Sequence, residues 1–299
     1  MEPSIAIAAP AARVADFVEL TKPRITFMVV VSAAAGFYLA APGSLDLYRS
    51  IRLINVVLAT GLVAAGASCL NQVIERDTDR AMERTRERPL PAGRLDPAAA
   101  LVFGLALAVL GSISLWLTAN PLTAVLGILT LLLYVGIYTP LKRVSSLCTI
   151  IGAVPGALPP VMGWTAATGS LSVEAWALFG ILFFWQMPHF LAIAWLYRDD
   201  YRRGGQPMLP VVDPAGGSTS RQIVLYGLAL LPTSLLPAVV GLAGPAYFAG
   251  ALVLGLAFLG VGLYTAWTRT TASARLLLRV SVVYLPALLG LMALDKVSL

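Results

Sequence analysis

The stretch that decides the fold is LINVVLATGLVAAGASCLNQVIERDTDR, residues 53–80. Its first part, 53–70, is almost entirely apolar and long enough to cross a bilayer, which takes about 17–25 residues of helix. The part that follows, 71–80, is polar and contains acidic and basic side chains. This pattern predicts a membrane helix that continues into a charged segment at its end.

Eight further apolar runs of similar length indicate that the whole chain is built this way. The 299 residues are 58% hydrophobic and only 12% charged, which excludes most soluble folds. We therefore predict an all-α polytopic membrane protein, a single domain over 1–299 with nine transmembrane helices around a central cavity. The fifth span, rich in glycine and proline, is expected to bend and line that cavity. The predicted spans are 25–41, 53–70, 97–119, 121–139, 144–166, 175–197, 223–242, 247–267 and 276–294.

The basic residues of the loops predict the orientation. Eighteen of the 21 lysines and arginines fall on the side of the N-terminus, so the positive-inside rule predicts N-in and C-out. Residues 1–22 are typical of an interfacial segment, not of a signal or transit peptide, which favours a bacterial inner (plasma) membrane. The net charge of +6 is spread over the loops and predicts no nucleic-acid partner.

The first cytoplasmic loop, 71–96, holds six acidic residues and six arginines. At about 100° per helical residue, Asn71, Glu75 and Asp79 share one face, whereas Asp77 points elsewhere. Oxygen ligands of this kind suit Mg²⁺, which is usually held by one or two carboxylates and substrate phosphates. The arginines Arg84 and Arg88 could bind the diphosphate of such a substrate. A salt-bridged, solvated loop is the alternative.

A second cytoplasmic loop, 198–222, follows the sixth span on the same side and contains Asp200. Two facing carboxylate groups could hold Mg²⁺ and grip a diphosphate between them. Lys142 and Arg143, after the fourth span, add positive charge at the same depth. The candidate catalytic and metal-binding residues are Asn71, Glu75, Asp79 and Asp200, and the candidate diphosphate-binding residues are Arg84, Arg88, Lys142 and Arg143.

The sixth span contains His189, the one histidine of the chain, four residues after Trp185. An ionisable residue inside a membrane span indicates a functional role. His189 could be a contact or axial ligand to a metalloporphyrin or a proton-handling group for an acceptor, and the ring of Trp185 could stabilise a cationic intermediate. A neutral imidazole that only packs two helices together is the alternative.

With these residues assembled, the chain resembles the UbiA-type intramembrane prenyltransferases, and within them the branch that acts on heme. The second acidic motif departs from the wider family, because Gly204 stands where a second aspartate is usual. The resemblance is based on residues 21–24 (TKPR), 71–90 (NQVIERDTDRAMERTRERPL), 138–143 (YTPLKR), 156–164 (GALPPVMGW), 185–190 (WQMPHF) and 200–210 (DYRRGGQPMLP).

The resemblance implies a Mg²⁺-dependent transfer of a farnesyl group from farnesyl diphosphate to a vinyl group of heme B, with heme B as substrate and not as cofactor. It also implies that His189 and Trp185 bind the heme acceptor and that a heme A synthase acts downstream. Two other functions remain open on the residues alone. One is a prenyltransferase that acts on a quinone or chlorin ring, and the other is a secondary transporter for a phosphate ester.

Overall fold

The structure is a computed structural model that describes residues 10–43 and 46–297. Within these ranges all regular elements are helices, apart from an isolated bridge between Ala243 and Lys296. Nine of the described helices are long and apolar enough to cross a membrane. The predicted all-α fold with nine spans is therefore confirmed. Residues 1–9 of the predicted interfacial segment lie outside the described ranges.

The nine spans agree with the predicted order and differ in their ends. The fourth is a composite of two helices joined by a π-helical stretch. In chain order the helices are α1 (Pro10–Leu20), α2 (Pro23–Ala40), α3 (Leu47–Arg80), α4 (Pro97–Thr118), α5 (Pro121–Leu131), the π-helical segment (Leu132–Tyr138), α6 (Thr139–Leu141), α7 (Cys148–Thr168), α8 (Val173–Leu196), α9 (Arg198–Arg203), α10 (Leu209–Val212), α11 (Gly217–Val239), α12 (Pro245–Thr268) and α13 (Thr271–Leu294).

Local capping explains where several spans begin. The side chain of Asp96 accepts a hydrogen bond from the Ala99 amide, and α4 then begins with a proline. Asn120 caps α5 in the same way through the amide of Thr123. A side-chain acceptor at the N-cap stabilises a helix by about 1 kcal/mol, and proline suits the first helical position because its missing N–H has no partner there. These starts therefore follow from the local sequence.

The closest helix packing joins α2 to α7. A Cβ atom on Gly163 would lie 1.9 Å from the carbonyl oxygen of Ala33, and one on Gly36 would lie 2.0 Å from that of Pro160. Small residues allow the backbones of two membrane helices to come into contact. Dispersion contacts then stabilise the pair, since the hydrophobic effect does not drive helices together inside a bilayer. The seam holds the first span against the fifth, the most buried of the nine.

The fourth span contains π-helical backbone, whereas the fifth is one helix. We expected α7 to bend; its helix continues through Pro155, Pro159 and Pro160, and the bend stays a prediction. The π-helical turns precede Lys142, in Leu132–Tyr138. Such segments inside helices occur often at functional sites, because the extra residue redirects the side chains that follow.

The charged residues gather at one end of the bundle. There the segment after α3 meets α9, because the Asp200 carboxylate accepts hydrogen bonds from the amides of Glu83 and Arg84. At the opposite end Lys296 donates to the carbonyl oxygens of Tyr38 and Ala41. The two predicted acidic loops therefore lie side by side. A mainly apolar cavity of about 400 Å³ lies between α2, the start of α3 and α13.

Candidate active site

The last turns of α3 present one polar face to the interior. Asn71, Glu75 and Asp79 are all buried, with Glu75 only 3% exposed. Asp77 lies on the outside, where its side chain is 75% exposed and pairs with Arg76. The helical spacing thus correctly predicted which acidic side chains share the buried face and which one lies outside it. The predicted loop 71–96 is accordingly helical over its first ten residues, since α3 ends at Arg80.

Each of these three side chains contacts a cation from a different part of the chain. Lys22 Nζ donates to Asn71 Oδ1 at 2.8 Å. Lys142 Nζ lies 2.6 Å from Glu75 Oε1, and Arg88 Nη1 donates to Asp79 Oδ2 at 2.6 Å. We call these six residues the charged cluster. Two carboxylates and an amide thus face three cations at the cytoplasmic end predicted for the spans.

Lys22 reaches the cluster through an unusual backbone conformation. It stands between α1 and α2 with φ 48° and ψ 64°, a left-handed conformation that costs an ordinary residue about 1–2 kcal/mol. The half-buried side chain loses solvent and faces Arg88, and these two effects lower the pKa of Lys22 to about 7 against the opposing attraction of Glu75. On the sequence alone, Lys22 in the quoted TKPR motif could be either an anchor at the positive side of the membrane or a phosphate contact.

The amide of Asn71 is held from both sides. Its Nδ2 donates to Thr139 Oγ1 at 3.0 Å, and the Thr139 hydroxyl in turn donates to the carbonyl oxygen of Tyr134 at 2.8 Å. Because Nδ2 is used in this way, Oδ1 is the atom turned to Lys22. Thr139 directly follows the π-helical segment, so the irregular turns place this hydroxyl. Sequence reasoning missed Thr139, and the only signal was its place inside the quoted YTPLKR motif.

Lys142 is neutralised by the carboxylate of Glu75. Burial removes solvent from its ammonium group, but the nearby Glu75 carboxylate and its hydrogen bond outweigh that effect and raise the pKa of Lys142. The ammonium also lies 5.3 Å from the centroid of the Tyr138 ring, a cation–π contact. Arg143, in contrast, is exposed and donates to the carbonyl oxygen of Ile74 at 3.0 Å. The structure therefore brings Lys142 to the cluster and leaves Arg143 outside it.

The arginine-rich segment after α3 is anchored at several points. The buried Thr85 hydroxyl donates to the carbonyl oxygen of Asp79 at 2.8 Å. The guanidinium of Arg84 lies over the rings of Tyr197 and Tyr201, at 5.0 and 5.8 Å from their centroids. Planar guanidinium groups stack well on aromatic faces and keep their N–H groups for anions. Arg84 is therefore placed between the two predicted loops.

Asp200 makes contacts that differ from those we expected. Its carboxylate accepts hydrogen bonds from the amides of Glu83 at 3.0 Å and Arg84 at 3.3 Å, and from the side chain of Arg203. Burial disfavours the charged form, but these donors outweigh it and lower the pKa of Asp200. In this arrangement Asp200 positions the arginine-rich segment. Its role as a metal ligand stays a prediction.

His189 and Trp185 form a separate group on α8. Their rings are stacked with centroids 5.1 Å apart, and both contact Ser281 on α13, through His189 Nδ1 at 2.7 Å and Trp185 Nε1 at 2.9 Å. Sequence reasoning missed Ser281, because nothing in the ninth span distinguishes it from other serines. The predicted role of the two aromatic residues in acceptor binding stays a prediction.

The side chains that could bind Mg²⁺ are oxygen donors. Asn71, Glu75 and Asp79 offer hard oxygen atoms on one helix face, and no group of three histidine, cysteine or acidic residues within 10–43 and 46–297 is arranged to hold a metal ion by itself. Mg²⁺ characteristically takes one or two carboxylates and completes its shell with water and substrate phosphates. The residues therefore fit an ion that arrives with a diphosphate.

Comparison with known proteins agrees with this architecture. Residues 29–284 match the model of the UbiA prenyltransferase family. A protoheme IX farnesyltransferase of Solibacter usitatus (strain Ellin6076) is 50% identical over 290 residues, which cover 95% of this chain and 99% of that protein. One from Koribacter versatilis (strain Ellin345) is 47% identical over 94% of this chain and 93% of that protein.

Solved structures extend the likeness to the fold. A digeranylgeranylglyceryl phosphate synthase superposes with a TM-score of 0.80 at 14% identity over 96% of this chain and all of the other. A UbiA homologue from Archaeoglobus fulgidus bound to GPP and Mg²⁺ gives a TM-score of 0.62 at 13% identity, over 93% of this chain and 99% of the other. The helix order, the buried acidic face on α3 and the match over most of the chain lead to one conclusion: this chain belongs to the UbiA prenyltransferase family.

Proposed function

We propose that this protein is a Mg²⁺-dependent protoheme IX farnesyltransferase, which transfers the farnesyl group of farnesyl diphosphate to a vinyl group of heme B and so makes heme O. The observation that supports this most is the charged cluster, where buried acids and cations converge at one end of the spans. The curated relatives of the same name, up to 50% identical over nearly the whole chain, support the choice of substrates.

The acids and cations of the cluster can exchange partners when a substrate binds. Asn71, Glu75 and Asp79 would hold Mg²⁺, with Asp200 as a further predicted ligand. When bound, Mg²⁺ would neutralise the negative charge that develops on the departing diphosphate. The cations that pair with the acids would then bind phosphate oxygens. They would thus stabilise the acids before the substrate binds and the diphosphate afterwards. These cations are Lys22, Arg88 and Lys142, joined by the predicted contacts Arg84 and Arg143.

The predicted chemistry follows from the leaving group. Cleavage of the C–O bond gives an allylic farnesyl cation and diphosphate, and the apolar helices keep bulk water away from that cation. The vinyl group of heme B is electron-rich, and its terminal carbon attacks C1 of the farnesyl cation. Water adds to the new cation beside the porphyrin and loses a proton, which leaves a hydroxyl group. His189 and Trp185 are the residues we assign to heme contact.

The cellular setting is part of the proposal. We infer that the charged end of the bundle faces the cytoplasm of a bacterial cell, with the N-terminus in and the C-terminus out, because the loops there hold most of the lysines and arginines. The single domain of 1–299 would lie in the plasma membrane, with residues 1–22 at its surface. Its product would pass to a heme A synthase.

The direct test uses purified protein in lipid nanodiscs with farnesyl diphosphate, Mg²⁺ and heme B. We expect the mass of the hydroxyethylfarnesyl adduct of heme, and no product when EDTA replaces Mg²⁺. A quinone or chlorin that is prenylated in place of heme would show a different acceptor. Uptake of a phosphate ester into proteoliposomes without any transfer product would show a transporter.

A matched pair of variants tests the site within this assay. Asp79→Asn removes the carboxylate from the buried face, and Asp77→Asn removes one from the opposite, exposed face of the same helix. We expect Asp79→Asn to reduce turnover at least about 100-fold, a loss of roughly 2.7 kcal/mol in transition-state stabilisation. Asp77→Asn should stay within about twofold of the native rate. Similar rates for the two variants would remove Asp79 from the site.

A further inference from the structure

The hydroxyl of Ser281 makes two short contacts that decide where a proton lies. Ser281 is fully buried on α13, and its Oγ lies 2.7 Å from the carbonyl oxygen of Leu278 and 2.7 Å from His189 Nδ1. A carbonyl oxygen can only accept, and a serine hydroxyl has a single proton to donate. Both contacts are hydrogen bonds at the same time only when the hydroxyl donates to Leu278 and His189 Nδ1–H donates to the hydroxyl.

A second contact fixes the plane of the imidazole. Trp185 lies one helical turn before His189, and its indole Nε1–H donates to the backbone carbonyl oxygen of the same serine at 2.9 Å. The indole and imidazole rings are stacked with an interplanar angle of 26°. Ser281 thus holds Trp185 through its backbone and His189 through its side chain. The imidazole is constrained both by the stacked ring and by the hydrogen bond.

We propose that Ser281 is a positioning residue, which keeps His189 in the tautomer protonated on Nδ1 and leaves Nε2 as a free electron pair for the iron of the porphyrin substrate. A neutral imidazole with Nδ1 protonated has its acceptor pair on Nε2. In the described part of the chain, Nε2 makes no hydrogen bond. Metal-binding histidines almost always donate their other ring N–H to a partner, which sets the tautomer and the ring orientation.

The proposal rests on the proposed function for the identity of the acceptor, but the tautomer does not depend on it. His189 is the one histidine in the chain, so an imidazole signal needs no assignment. We would label the protein with ¹⁵N-histidine, purify it without a polyhistidine tag, and record its nitrogen spectrum in lipid. We expect a protonated Nδ1 and an unprotonated Nε2. A native protein protonated on Nε2 would overturn the proposal, whatever its activity.

Heme binding tests the second half of the proposal without any farnesyl transfer. Ferric heme B is titrated into nanodisc-embedded protein, and the Soret band is followed. Loss of an outer partner of a metal-binding histidine typically weakens metal affinity about 10- to 100-fold, and we expect that loss, together with a shifted Soret band, in Ser281→Ala. Ser281→Thr, which retains the hydroxyl, should restore affinity and spectrum.

Ser234→Ala is the matched control. Ser234 is also fully buried, its hydroxyl donates to the carbonyl oxygen of Leu230 at 2.8 Å, and it lies 2.7 Å from the Tyr284 hydroxyl on the neighbouring α13. Ser234→Ala therefore loses a similar pair of contacts that do not involve His189, and heme affinity should not change. Equal heme spectra for native protein and Ser281→Ala would refute the role of Ser281, even if the native protein makes heme O. A native protein that neither binds heme nor makes heme O would refute the proposed function and the iron contact together.

Discussion

Replacing Lys142 with methionine should reveal how strongly the charged cluster depends on its internal ion pairs. Lys142 Nζ and Glu75 Oε1 are 2.6 Å apart, and their side chains are only 13% and 4% exposed. At an effective dielectric constant of about 20, the attraction is about 6 kcal/mol, most of which offsets the loss of solvation. Removing the lysine leaves a buried carboxylate without its partner, which costs about 3–5 kcal/mol. Since Glu75 also attracts Lys22, we expect the lower part of this range.

The double variant separates lost charge balance from lost packing. Glu75→Gln added to Lys142→Met removes the orphaned charge and keeps the side-chain shape. We expect the double variant to regain about 2 kcal/mol relative to the single variant, because a neutral amide is far less costly to bury than an unpaired carboxylate. Neither variant should make heme O, since both lack residues of the proposed site.

Thermal unfolding in nanodiscs without substrate is the assay. For a chain of this size, 1 kcal/mol corresponds to roughly 2 °C in Tm, so the single variant should melt about 6 °C lower and the double variant about 2 °C lower. Arg143→Met is the stability control, because the exposed Arg143 donates to the Ile74 carbonyl oxygen and such a bond contributes about 1 kcal/mol. Equal destabilisation by the single and double variants would refute the coupling between Glu75 and Lys142.

Two further predictions concern the loop contact and the helix seam. Asp200 should protect the amides of Glu83 and Arg84 from hydrogen exchange: because its pKa is lowered, protection should persist below the pH at which an ordinary aspartate is protonated and be lost only when the pH falls through the lowered pKa. Asp200→Asn should lose that protection even at pH 7. Protection that survives in the variant would contradict the role of the Asp200 carboxylate in holding the two amides. Gly163→Ala should destabilise the protein by about 3 kcal/mol or more, because its Cβ would overlap a backbone oxygen. Gly260→Ala, where nothing lies within 4 Å of the added atom, should be neutral in the same thermal assay.

Most of the fold was predictable because the signals for it are local. Length and apolarity identify a span without reference to any other part of the chain, and all nine were found. The ends were less exact, since helices such as α3 continue well beyond the apolar core into polar sequence. The π-helical turns of the fourth span were not predicted, because they occur in LLYVGIY, residues 132–138, which contain no proline.

The site was predicted in part for the same reason. The helical period placed Asn71, Glu75 and Asp79 together and excluded Asp77, and the structure confirms both. Which cation would meet which acid had no such signal. Nor did any signal indicate the contacts of Asp200, because its hydrogen bonds go to backbone amides 116 and 117 residues away in the chain.

The sequence by itself determined the nine apolar spans, the acidic face of α3 and the excess of positive charge on one side, because each of these depends on residue type and on spacing within a single helix. Only the tertiary structure decided that Lys22 reaches Asn71 across 49 residues and that Ser281 reaches His189 across 92. Such pairs form when helices pack at particular angles and depths, and those depend on the fit of many side chains at once. Spacing along the chain therefore predicts which groups are available, and packing determines which of them meet.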